Sequence, residues 1–110
     1  MGLFDRNHDT EIANCKIDIE RKKSGIENIK RQIEGIKREK QIYVESQSRQ
    51  LKVITKAEYK KRHREITKQR VDGYNASLAR KREEIEALRD WIDRIKQSIE
   101  RLRHEQKLSR

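Results

Sequence analysis

The sequence predicts an all-α fold, an antiparallel two-helix coiled-coil hairpin, on three observations. Two long apolar heptad series run through the chain, a helix-capping string stands between them, and the composition excludes a broad globular core. With 110 residues, 44% of them charged and 32% hydrophobic, no proline, four glycines and five aromatic residues, the chain suits long exposed helices. Disorder is the competing reading of so much charge, but it predicts no apolar period.

In the first series Ile12, Cys15, Ile19, Ile26, Ile29, Ile33, Ile36 and Tyr43 occupy the a and d positions of a heptad, interrupted by Lys22 and Lys40. This predicts helix 1 over about residues 9–48, after an N-terminal segment 1–8. Between the series, Thr55-Lys56-Ala57-Glu58 has the form of a capping box, flanked by Ile54 and Tyr59 at hydrophobic-staple positions. Fraying of helix 1 between Ser46 and Gln50 would then leave a turn at about 49–54. Val71, Tyr74, Leu78, Ile85, Leu88, Ile92, Ile95, Ile99 and Leu102 make the second series, interrupted by Lys81, and predict helix 2 over about 55–108. The whole chain, 1–110, is read as this single hairpin.

Antiparallel pairing sets a positions against d positions. Placing residue i opposite 107 − i does so with the bend centred between Val53 and Ile54. Ile12 then faces Ile95, Cys15 faces Ile92, Ile19 faces Leu88, Ile33 faces Tyr74 and Ile36 faces Val71. Lys22 falls against Ile85 and Ile26 against Lys81, two half-polar layers of the kind that fix register. Leu3 and Phe4 are expected to close the open end beside Leu102 and His104. Ile17, Trp91, Ile42, Val44 and Ile66 lie off the seam. Self-association of two hairpins into a four-helix bundle is their preferred use, docking on a partner protein the second, and a widened seam the third.

Charge is the clearest functional clue. Residues 1–45 carry 10 Lys/Arg against 9 Asp/Glu, residues 46–70 carry 9 against 2, and residues 71–110 carry 10 against 8, so +7 of the net +10 lies around the bend. The bases are Arg49, Lys52, Lys56, Lys60, Lys61, Arg62, Arg64, Lys68 and Arg70, with Lys37, Arg38 and Lys40 approaching from helix 1. With Tyr59 taken to point inward, Lys60, Lys61, Arg64 and Lys68 share a solvent face. Like charges at i,i+4 cost a helix about 0.2–0.5 kcal/mol a pair, so this row does not serve helix stability. An anionic partner explains it: nucleic acid or a nucleoprotein complex, bound through phosphates without sequence specificity, or alternatively an acidic protein surface. Because Tyr43 and Tyr59 are both expected inside, base stacking has little support, and duplex or structured RNA is preferred.

No enzyme is expected, since His8, His63 and His104 have no nucleophile or carboxylate at a catalytic spacing, and no cofactor or metal is expected. His63, at the edge of the core stripe, is expected to pack or to touch phosphate. Cys15 is the one cysteine, which forbids an internal disulfide and agrees with a reducing compartment. No apolar run approaches the roughly 20 residues that span a bilayer, and no helix face is broadly apolar, so a cytoplasmic chain without a membrane partner is expected.

Ile54-Thr55-Lys56-Ala57-Glu58-Tyr59, followed by Ile66, resembles the core of the short SHOCT helical modules of bacterial proteins. The string lacks the usual preceding Gly and has His63 in place of a Lys, and a capping box with a staple produces the same pattern; no family is assigned from it. The expected function is that of a non-enzymatic, stoichiometric binding protein, a regulator or inhibitor, whose basic tip engages the anion. The alternative is a protein-only coiled-coil adaptor or scaffold docking through the off-seam apolar residues.

Overall fold

A computed structural model describes residues 8–109. The fold is the helical hairpin: α1 spans His8–Val53 and α2 spans Ala57–Leu108, joined by residues 54–56. The contacts expected of Leu3 and Phe4 lie outside the described residues.

The turn is shorter and later than the sequence suggested. Helix α1 does not fray at Ser46–Gln50 but continues to Val53. Nothing in residues 46–53 stops it: there is no glycine or proline, Gln, Arg, Leu and Lys are good helix formers, and Ser46, Gln47 and Leu51 are half-buried on the continuing seam. Its last turn tightens where the Ile54 amide donates to the Leu51 carbonyl at 3.3 Å, an i to i−3 bond that satisfies one of the helix's orphan acceptors. Helix α2 opens with the Lys60 amide donating to the Lys56 carbonyl at 3.1 Å, which makes Lys56, not Thr55, the capping residue of the backbone. That shift of one residue rotates the frame by about 100° and takes Tyr59 out of the staple position.

Packing divides the described hairpin into two units, residues 8–28 with 85–109 and residues 29–84. In the terminal unit Ile12, Ile19, Ile26, Ile85, Ile92, Ile95, Ile99 and Leu102 are buried. In the turn-bearing unit only Ile33 and Leu78 among the described residues reach that burial. Its seam beyond them is half-buried and largely polar: Lys40, Ser46, Gln47, Lys60, His63 and Thr67 share it with Ile36, Tyr43, Leu51, Val71 and Tyr74. A fully buried Leu or Ile contributes about 1.5–3 kcal/mol, so the turn-bearing unit is held by much less hydrophobic free energy.

The register also differs from the expected one. In the terminal unit Lys22 meets Trp91, Gly25 faces Leu88 and His8 meets Glu105, pairs whose numbers add to 113, while Asp9 meets Gln106 at 115. Within the turn-bearing unit Lys40 meets Asn75 at a sum of 115 and Tyr43 meets Tyr74 at 117. These values stand about one heptad beyond 107. Centring the turn on Thr55 raises the sum by three, and the lean of helical side chains toward each helix's own N-terminus raises it by about two more in an antiparallel pair. The pairing of Lys22 with Ile85 is therefore replaced. The Lys22 ammonium lies 4.4 Å from the centroid of the Trp91 ring and 3.1 Å from an Asp18 carboxylate oxygen. The half-polar layer persists with other partners, worth about 0.5–1 kcal/mol as a cation–π contact at a partly exposed site.

Candidate nucleic-acid interface

All but one of the nine cations around the turn are exposed. Arg49, Lys52, Lys56, Lys61, Arg62, Arg64, Lys68 and Arg70 are all exposed, while Lys60 is half-buried on the seam. The expectation that Lys60 shares the solvent face with Lys61, Arg64 and Lys68 is thus corrected, because the inward stripe of α2 runs through 60, 63, 67, 71 and 74. Elsewhere five cations pair within their own helix: Lys22 with Asp18, Lys23 with Glu20, Lys37 with Glu34, Lys81 with Glu84 and Arg103 with Glu100. Among the described residues no ion pair involves a base of 46–70. Two carboxylates, Glu58 and Glu65, stand there against nine bases, so nearest-neighbour screening by the protein is slight.

Arg70 differs from the rest. Its guanidinium lies 5.5 Å from the Tyr43 ring centroid and 5.7 Å from that of Tyr74, and the two rings are 6.0 Å apart at 54°. A side-chain hydrogen bond with Tyr74, then the Coulombic influence of Tyr74, Tyr43 and Glu39, raises the pKa of Arg70 above the ordinary arginine value. Its charge is fixed against two aromatic faces, so it closes the seam as well as facing solvent.

Tyr59 is the main departure from expectation. It is 53% exposed, not inside, with the Lys56 ammonium 5.4 Å from its ring centroid. Apolarity marks the seam along the rest of α2, but in its first three turns the seam positions are Lys60, His63 and Thr67, and the apolar Tyr59 and Ile66 stand outside. Stepping back from Val71 by four, four and three residues, regardless of polarity, reaches Thr67, His63 and Lys60.

The side of the turn-bearing unit bearing Val44 is grooved. A cavity of about 310 Å³ is lined by Val44, Gln47, Leu51, His63, Arg64 and Lys68 among others, and one of about 600 Å³ by Lys37, Lys40, Val44, Asn75, Leu78 and Arg82 among others. The Lys40 ammonium donates to Asn75 Oδ1 at 2.8 Å. His63 Nε2 is buried without a hydrogen-bond partner, so of the two roles expected for His63 the geometry favours packing over phosphate contact. Such an unpaired group costs about 1–3 kcal/mol and adds to the loose packing here.

The off-seam apolar residues do not assemble into one surface. Ile17 is exposed about 200° around α1 from the seam residue Cys15, whereas Trp91 stands at the seam edge over Lys22. Ile42 and Val44 are exposed on opposite flanks of Tyr43, and only Val44 lines the cavities. No helix among the described residues is long and apolar enough to cross a membrane, and none of their His, Cys, Asp and Glu side chains cluster in a group able to hold a metal ion. No known protein family matches the chain, and neither a curated protein nor a solved structure does.

Proposed function

We propose that the chain is a non-enzymatic, stoichiometric nucleic-acid-binding protein whose turn is the binding surface. The observation that carries this reading is the concentration of nine bases against two carboxylates in residues 46–70, eight of those bases exposed and none in an ion pair among the described residues. A phosphate backbone suits such a surface, because release of its condensed counterions supplies affinity without fixed base-reading side chains. A protein acting by binding alone is a regulator or an inhibitor that covers the nucleic acid, free or within a nucleoprotein complex. At the turn a second copy is the poorer occupant, since it would set one +7 surface against another.

A second reading, a protein-only adaptor, draws on Ile17 and Trp91, each more than half exposed. Their separate faces would require two contact surfaces on a partner. The discriminating experiment is fluorescence anisotropy with a labelled oligonucleotide across a salt series. If five to seven phosphates are engaged, the slope of log K against log salt is about −4 to −6. A slope near zero, or the absence of binding at low salt, would refute the nucleic-acid reading and direct attention to Trp91.

A further inference from the structure

We infer that the turn selects unpaired nucleotides, with Tyr59 as a stacking platform for a base; the inference rests on the nucleic-acid reading above. Of the three tyrosines, Tyr43 and Tyr74 are half-buried and engaged with each other and with Arg70. Tyr59 alone presents a largely open ring, and it does so in the first turn of α2 among the bases. Lys56 sits over that ring, and Arg62 stands three residues on, on the same side of α2, so a base laid on Tyr59 has cations on hand for its flanking phosphates. Val53, at the end of α1, and Ile66, two turns after Tyr59, are also exposed, an excess of apolar surface that phosphates cannot use.

A duplex presents phosphates and keeps its base faces stacked, so it satisfies the cations and leaves Tyr59 idle. An unpaired base offers a π face to the ring, and such stacking is sequence-tolerant because every base has one. The aromatic and the cations together therefore match single strands or loops better than duplex, the reverse of the preference drawn from sequence.

The test uses the full chain and a strand of about 12 nucleotides carrying 2-aminopurine, as DNA and as RNA, each alone and annealed to its complement. The strand is expected to bind about tenfold more tightly than the duplex, with a change in 2-aminopurine fluorescence on binding. Tyr59→Ala and Tyr59→Leu should each lose about tenfold on the strand and little on the duplex, while Tyr59→Phe retains both. Since Tyr59 is exposed, thermal melts of these variants should match the parent. The DNA and RNA arms identify which source of unpaired nucleotides is preferred. Equal or tighter duplex binding, or unchanged strand binding by Tyr59→Ala, overturns the inference while leaving phosphate binding intact. Absence of binding to every probe overturns the underlying reading as well.

Discussion

Replacing Lys61, Arg64 and Lys68 together by Glu is expected to weaken binding of a nucleic-acid strand by about 10²–10³-fold at 0.1 M salt. Each phosphate neutralised contributes about 0.7–0.9 to the salt slope, and hence nearly a decade of affinity at that concentration, so three lost contacts remove two to three decades. The salt slope should fall by about 2–3 in parallel. These three side chains are exposed and make no ion pair, so their reversal breaks no native contact and takes the charge of residues 46–70 from +7 to +1. A new i,i+4 repulsion such as that between position 61 and Glu65 costs the helix only about 0.2–0.5 kcal/mol, positions 64 and 68 being like-charged before and after, and circular dichroism should be unchanged. The control is reversal of Arg101, Arg103 and Lys107, which alters net charge equally but lies in the terminal unit. If the control weakens binding as much as the tip variant, total charge and not its placement governs the interaction.

Leu78→Ala is expected to cost about 2–5 kcal/mol of stability, the range for truncating a buried leucine. Leu78 is 5% exposed and, with Ile33, supplies the buried apolar contacts of the turn-bearing unit. Few neighbouring apolar side chains can collapse into the void, since the adjoining seam holds Lys40 and Lys81, and the wall of the larger cavity already abuts Leu78. Thermal melting should show the loss as a fall in Tm of 10 °C or more, at about 4–8 °C per kcal/mol for a domain of this size. By contrast Ile42→Ala, at a site 60% exposed, should change stability by no more than about 0.5 kcal/mol. A large, concentration-dependent effect of Ile42→Ala would instead reveal that a second copy covers that face, as a four-helix bundle requires.

The fold was legible because Ile and Leu recur at a and d positions along both helices, and the charge concentration was legible by counting. The register was not. A slip of one heptad keeps every a position opposite a d position, so between Ile12 and Ile36 all the isoleucines but one find apolar partners on α2 whether the sum is 107, where Ile26 meets Lys81, or 114, where Ile33 does. Only the turn decides between them, and its position depended on whether α1 continued through Ser46–Gln50. Tyr59 was misplaced for a related reason. Where the seam carries Lys60, His63 and Thr67, the rule that apolar residues face inward selects the wrong stripe. The polar seam is itself informative: in the first turns of α2 Tyr59 and Ile66 stand on the surface and Lys60, His63 and Thr67 on the inside, an inversion of ordinary patterning.

The most direct measurement is a ¹H–¹⁵N NMR titration of the labelled chain with an unlabelled strand at low salt. Amide shifts concentrated in residues 46–70, with those of the terminal unit unmoved, are the predicted result. Shifts spread evenly along both helices, or centred on Ile17 and Trp91, would contradict a binding surface at the turn.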